Sequence, residues 1–225
     1  TLIKDEVMVW ERDDNGKRIT HPYTPEYYFY VDNPKGKYTT IYDTQVSRVE
    51  CKNSFDFRDK KSLFEQEGVG VWETDISPEM RILSNHYHGV PAPKLHITFL
   101  DIEVDYDKTV GFAGVYNPYA PINSVSIFHY HSNELIVYCV PPDDTWTQER
   151  LISEVNKNVP VPEEYNTNLV LCANEQELLI GLLDSIQDSD LLCGWNSEFF
   201  DFPYIYRRIE IVLGKSSIRK LSFPR

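Results

Sequence analysis

Lys94-Leu95-His96-Ile97-Thr98-Phe99-Leu100-Asp101-Ile102-Glu103-Val104 reads as one long strand, and two of its residues are out of place in an ordinary one. Side chains two apart on a strand share a face, so Asp101 and Glu103 project together. Phe99, Leu100, Ile102 and Val104 surround them with apolar neighbours. Two buried carboxylates side by side repel unless a cation lies between them, and hard oxygen donors of this kind suit Mg²⁺ or Mn²⁺. Taken alone, the same Asp-x-Glu also fits an edge strand that turns its acids to water.

The sequence after this strand predicts a mixed sheet covered by helices. Residues 122–129 and 134–140 are two further strands, close enough to form an antiparallel hairpin. Asn174 caps a helix, and Glu177 three residues on completes a capping box. Leu178, Leu179, Leu182, Leu183 and Ile186 give that helix one apolar stripe. Residues 191–194 read as a buried strand, followed by a helix at about 201–213. Pro203 suits the first turn of that helix, Phe202, Ile205, Tyr206, Ile209, Val212 and Leu213 line one face, and Gly214 stops it. The order is strand, strand, strand, helix, strand, helix, which gives an α/β (α+β) fold class.

The junction between the last strand and helix reads Gly194-Trp195-Asn196-Ser197-Glu198-Phe199-Phe200-Asp201-Phe202-Pro203-Tyr204-Ile205. Asp201 falls at the helix start, where the dipole and the orphan amides stabilise a carboxylate. As a cap it needs no chemistry. A strand-to-helix junction beyond a strand's carboxyl end is also where α/β sheets bind ligands. There Asp201 would face Asp101 and Glu103 across the crevice.

The first half is β-rich and separate. Val7-Met8-Val9-Trp10 leads into Asn15-Gly16, a strong hairpin turn signal. An aromatic strand at 26–31 and a turn at 33–36 follow. Residues 57–66 read as a short helix, 71–74 as a strand, and Ser77 caps a helix opened by Pro78. Pro91-Ala92-Pro93 marks the boundary between domains at 1–93 and 94–225.

Composition bounds the function. The 225 residues are 41% apolar and 13% aromatic, too much for a disordered chain. The formal charge of −13 argues against binding a phosphate backbone by bulk electrostatics, so a nucleic-acid role needs a local site. Arg207, Arg208, Lys215, Arg219, Lys220 and Arg225 against Glu210 form one basic stretch, suited to phosphates or to an acidic neighbouring surface. No apolar run reaches the length of a membrane span, and no secretory leader pattern opens the chain. Cys51, Cys139, Cys172 and Cys193 form no CxxC pair and read as buried free thiols of a reducing compartment. His86/His88 and His129/His131 would each share a strand face, without a third ligand nearby, and read as surface histidines rather than zinc ligands.

These motifs together carry a resemblance. Residues 100–104, Leu-Asp-Ile-Glu-Val, followed by 194–205, resemble the first two exonuclease motifs of family B DNA polymerases. Arg207-Arg208 with Val212-Leu213-Gly214 is similar to the tailed-phage replicative branch. Residues 72–78, Trp-Glu-Thr-Asp-Ile-Ser-Pro, resemble the end of that family's N-terminal domain, and the early hairpin, the Tyr-rich strand and Phe55-Asp56-Phe57 follow the phage branch too. The resemblance runs along nearly the whole chain in order.

It implies a β-rich N-terminal domain followed by an incomplete ribonuclease-H-like 3′–5′ proofreading domain. Asp101 would bridge two divalent ions, Glu103 would hold the one that activates water, and Asp201 would act on the second. Asn196 and Phe200 would help seat the frayed primer end. Phe112, in the Gly-flanked loop after the carboxylate strand, would stack on a base or simply anchor the loop. The implied partners are a single-stranded DNA 3′ end or primer-template, the rest of the polymerase in cis or trans, and RNA for the N-terminal domain, with no membrane. The implied setting is the cytoplasm of a phage-infected bacterium. The family's third motif, Tyr-x-x-x-Asp, belongs beyond residue 225, so the chain by itself is expected to make no DNA and to show little or no exonuclease activity. Two other readings stay open: a free-standing ribonuclease-H-like nuclease using Asp105 or Asp107 as the missing acid, and a non-catalytic RNA-binding module.

Overall fold

A computed structural model describes residues 2–3, 6–159 and 164–222. The chain divides into two compact units, residues 1–93 and 94–225.

The first unit holds two sheets and two helices. Strands β1 (Leu2–Ile3), β2 (Glu6–Arg12) and β3 (Arg18–Tyr23) form an antiparallel sheet. Asp13 Oδ1 accepts the Asn15 and Lys17 amides at the β2–β3 turn, and Gly16 supplies the positive φ of 77° that a tight hairpin needs. Strands β4 (Tyr27–Asp32), β5 (Tyr38–Thr39), β6 (Gln45–Cys51) and β7 (Val71–Trp72) make a second sheet in the order β5-β6-β4-β7. Helix α1 (Ser54–Gln66) starts three residues before the expected 57, because Asn53 caps it by accepting the Phe55 and Asp56 amides. Its Phe57 and Phe64 pack on Phe29 of β4 at ring-centre distances of 5.2 and 6.1 Å. Ser77 caps α2 (Pro78–Tyr87), whose Arg81 is buried against Glu73 and the Tyr28 carbonyl.

The second unit is built on one five-stranded mixed sheet. Its strands are β8 (Ile97–Val104), β11 (Ile122–His129), β12 (Glu134–Cys139), β13 (Asn166–Leu171) and β14 (Leu191–Cys193), in the order β13-β12-β11-β8-β14. A small hairpin of β9 (Tyr106–Asp107) and β10 (Gly111–Phe112) follows β8. β8, β11 and β12 form an antiparallel meander, while β13 runs parallel to β12 and β14 parallel to β8. Helices α3 (Gln148–Asn158) and α4 (Glu175–Ser185) make the crossovers to β13 and β14, α5 (Asp201–Val212) follows β14, and a 3-10 helix, Lys215–Leu221, comes last in the described chain.

Period-2 alternation on β8 buries Thr98, Leu100 and Ile102 and leaves Phe99, Asp101 and Glu103 on the other face. The buried side joins Val125, Ile127 and Ile136 under Leu178, Leu179, Leu182 and Leu183 of α4 and Ile205 and Ile209 of α5. Each fully buried leucine stabilises the unit by about 1.5–3 kcal/mol relative to exposure. Asn174 caps α4 as the sequence implies, its Oδ1 accepting the Glu177 amide at 3.1 Å. Glu177 reaches back one residue further than a standard capping box, to the Ala173 amide at 2.7 Å.

Several sequence expectations need correction here. The long strand begins at Ile97 rather than Lys94, because the His96 backbone is taken by Asp190 on both sides. The final short strand is an edge strand, not a buried one, and its Leu191 is 47% exposed. Helix α3 and strand β13 extend the expected order between the hairpin and α4. On α5 the buried stripe is Asp201, Tyr204, Ile205, Arg208 and Ile209, so Tyr206 faces outward. Hydrogen-bond partners for Tyr204 and Arg208 rotate that stripe away from the purely apolar one. His129 is buried, accepting or donating at Thr98 Oγ1 at 2.9 Å, and His86 and His88 sit at the end of α2 rather than on a strand. The four cysteines are free, but only Cys172 is fully buried.

Candidate nuclease site

β14 pairs with β8 only as far as Phe99. Past that point the chain leaves β14 through Gly194, where a Cβ would lie 2.5 Å from the Leu100 carbonyl oxygen, so only glycine lets the turn pack this closely on β8. Asn196 takes a left-handed φ of 54°, which asparagine tolerates better than most residues. Buried Ser197 donates to the Gly194 carbonyl at 3.1 Å, and the Asn196 carbonyl accepts the Phe199 and Phe200 amides at 3.1 Å. This tight turn delivers the first residue of α5, Asp201, against the free edge of β8.

Asp201 is 3% exposed, and its Oδ1 accepts the Ile102 amide at 3.1 Å. The carboxylate therefore takes over a β8 amide beyond the end of β14, between the two acids of the strand. It is not a simple helix cap, since no side chain caps α5 at Phe200. Burial pushes the Asp201 carboxyl above its ordinary range and the nearby Asp101 charge adds to the push, while the Ile102 and Asp201 amides pull it down.

Asp101 and Glu103 share one face, as the strand period requires, but that face is exposed. This corrects the expectation of burial: the acids face solvent, and although β8 lies between β11 and β14, β14 pairs it only as far as Phe99, so its edge is open beside them. Ser126 and Ser124 stand opposite them on β11. Among the described residues, neither acid makes a hydrogen bond or ion pair. The donor chemistry fits a hard divalent cation: two unengaged carboxylates on one face and a third whose charged form is held back by burial and by Asp101. Among the described residues, however, no group of three or more His, Cys, Asp or Glu side chains is gathered closely enough to hold a metal.

Asn196 is exposed on the turn. Phe200 is half-buried, its ring 5.3 Å from that of Tyr204, whereas Trp195 at 92% and Phe199 at 74% exposed are the open aromatics of the turn. Sequence reasoning passed over these two, although aromatic residues flanking the polar run Asn196-Ser197-Glu198 mark them as candidates. Phe112 on the β9–β10 hairpin is 86% exposed, with its ring 4.7 Å from Tyr106. The substitute acids are occupied elsewhere. Asp105 accepts from Asn123 at 2.6 Å, and Asp107 is held below the ordinary carboxylate range, chiefly by the Thr109 hydroxyl and then by the Thr109 and Val110 amides. The basic stretch is largely paired: Arg208 with Glu175, Arg207 and Lys215 with Glu210, Lys220 with Asp184. Arg225 lies outside the described residues.

A mixed sheet of three antiparallel strands extended on both sides by parallel ones, with an acid pair beside a strand-to-helix turn, defines a ribonuclease-H-like α/β domain. Residues 46–223 match the family described as DNA polymerase family B, exonuclease domain, and the chain belongs to that family. The match begins on β6, inside the first unit. Over 233 aligned residues the chain is 25% identical to a DNA-directed DNA polymerase of Escherichia phage RB69, covering 98% of this chain and 26% of that protein. It thus spans about a quarter of the length of the curated relative it matches.

Proposed function

We propose that the chain supplies the N-terminal domain, residues 1–93, and much of the 3′–5′ exonuclease domain of a replicative DNA polymerase, acting with the rest of that polymerase in an infected bacterial cytoplasm. The observation that carries this reading is Asp201, buried on the Ile102 amide between Asp101 and Glu103.

Asp101, Glu103 and Asp201 would hold Mg²⁺ or Mn²⁺. When bound, two such ions supply an activated water and neutralise the departing 3′-oxygen. The protein's own part is positioning. β8 fixes the spacing of Asp101 and Glu103, and the Ile102 amide fixes the Asp201 carboxyl. Asn196 hydrogen-bonds the terminal nucleotide from the tight turn. Phe112 offers an open ring for stacking on an unpaired base, and Phe200 packs behind the turn on Tyr204. With an overall charge of −13, grip on DNA comes from these local contacts and bound cations rather than from the surface field.

The test is reconstitution. Combined with a polypeptide carrying the rest of a phage-branch polymerase, the chain is expected to associate and restore Mg²⁺-dependent removal of a mismatched 3′ nucleotide. Activity should vanish with Asp101→Ala/Glu103→Ala. Failure to associate and to excise overturns the reading.

RNA binding by the first unit has one observation in its favour. Tyr30, Tyr38, Tyr42 and Trp72 line a cavity of ≈ 330 Å³, and Tyr42 is largely exposed. Such rings suit stacking on unpaired bases. If this reading holds, RNA affinity falls with Tyr42→Ala and is indifferent to Asp101 and Glu103.

A further inference from the structure

Asp201, Tyr204 and Arg208 fall at i, i+3 and i+7 on α5 and share its buried face. Each binds backbone outside the helix. Asp201 takes the Ile102 amide, the Tyr204 hydroxyl donates to the Ala120 carbonyl at 2.7 Å, and Arg208 Nη1 donates to the Pro118 carbonyl at 2.9 Å. Arg208 is also forked onto Glu175, the first residue of α4, through Nε at 2.7 Å and through Nη2. The same Glu175 Oε1 accepts the Ile122 amide at 2.8 Å. One face of α5 thus pins Pro118 and Ala120, and Glu175 of α4, paired with Arg208, holds Ile122.

That segment supports the β9–β10 hairpin. Pro121 accepts the Asp105 amide at 3.4 Å, and the Tyr119 hydroxyl donates to the Gly111 carbonyl, next to Phe112. Asp105, Tyr106, Asp107, Tyr119 and Pro121 line an open cavity of ≈ 500 Å³ at the hairpin base. These polar tethers act beside the Tyr106–Phe112 ring contact in holding the hairpin to the segment.

A buried ion pair is weak evidence for stability, since a well-packed apolar replacement is often neutral or better. What a forked pair supplies is fixed geometry. Here the geometry links the helix that presents Asp201 to the hairpin that presents Phe112.

We propose that the Glu175–Arg208 pair and Tyr204 form a positioning anchor that fixes Phe112 relative to Asp101 and Glu103, and so sets how the last base of a single-stranded 3′ end is held. The proposal rests on the exonuclease reading above.

The test uses the full chain with Mg²⁺ and an oligodeoxynucleotide ending in 2-aminopurine, its last linkage a phosphorothioate to resist cleavage. Stacking on Phe112 quenches the fluorescence. Phe112→Ala is expected to weaken binding about tenfold and abolish the quench. Tyr204→Phe, which removes one hydroxyl, weakens binding about threefold. Glu175→Gln/Arg208→Met, which removes both charges together so that neither is left buried alone, weakens it about tenfold. Mn²⁺ affinity stays at the wild-type value in both anchor variants. Added to Phe112→Ala, neither anchor change weakens binding further, because both act through the same ring.

Additive losses, wild-type binding by the anchor variants, or loss of Mn²⁺ affinity along with DNA affinity would each overturn the anchor while leaving the exonuclease reading intact. A wild-type chain that does not bind the oligonucleotide strikes that reading itself, and the anchor falls with it.

Discussion

The two ends of β8 carry polar groups in opposite circumstances. At its start, Thr98 is buried and shares its hydroxyl between His129 Nδ1 at 2.9 Å and Ser189 Oγ at 2.7 Å. Nearby, His96 binds Asp188 and stacks on His131 with ring centres 3.7 Å apart. Every group there is answered by another protein group, which is how interiors tolerate polarity. Towards the other end, Asp101 and Glu103 are exposed and unanswered, and buried Asp201 is bonded to backbone amides while the Asp101 charge disfavours its ionised form. The first cluster is finished by folding. The second leaves its two exposed carboxylates to solvent, open to the cation proposed for them.

If that contrast is right, the two ends respond differently to mutation. The largest effect is expected at the anchor, which holds Ile122 opposite Val104, the last residue of β8. Arg208→Met leaves Glu175 buried without its partner and should cost about 3–5 kcal/mol, seen as a fall in Tm on thermal unfolding. Thr98→Val removes the hydroxyl that His129 Nδ1 and Ser189 Oγ share and should cost about 1–3 kcal/mol with Mn²⁺ affinity unchanged. Mn²⁺ affinity lost together with stability in Thr98→Val would erase the distinction between the ends.

Asp201→Asn should go the other way. A raised carboxyl pKa means that the folded state disfavours the charge, so this contribution is best at low pH and is lost as pH rises through the folded value. Removing the charge while keeping an acceptor for Ile102 should raise Tm at pH 7 by about 2–4 °C, the shift given by about 1 kcal/mol in a chain this size. The gain should shrink as the pH is lowered through the folded value and be gone below about 4, the ordinary Asp range. A loss of stability at pH 7 would mean that Asp201 is a structural acid.

The smallest effect concerns His129. Burial chiefly depresses its pKa and the neighbouring His96 adds to this, while Glu134 and Asp188 oppose it. With the folded value below the unfolded one, stability is full above about pH 6.5 and declines as pH falls below it. Tm measured between pH 7.5 and 5.5 should therefore fall less steeply in His129→Gln than in wild type.

The carboxylate end was the more legible of the two in the sequence. The Asp101/Glu103 period, the Asn174 cap and the α4 leucines are local signals, and the structure carries them. The Thr98 end was not, because its contacts join residues 31 and 91 apart in the chain. One signal was available: alternation along Val125, Ile127 and His129 puts the histidine on the core face. Arg208 and Tyr204 escaped for the same reason, with partners 33 and 84 residues away, and charged residues are seldom expected inside. Helix α3 and β13 were obscured by neighbouring prolines and by a helix with Leu151 as its one buried residue. Whether the acids of β8 faced protein or water could not be read from period alone, since alternation assigns a face without saying what covers it.

The central claim is that the acid pair on β8 is built to bind a cation. Calorimetric titration of Mn²⁺ into the chain, beside Asp101→Ala/Glu103→Ala, tests it directly. The account predicts wild-type binding in the double-digit micromolar to millimolar range, lost in the double variant while its Tm is held or raised. No binding by wild type, or binding that survives the loss of both carboxylates, would contradict it.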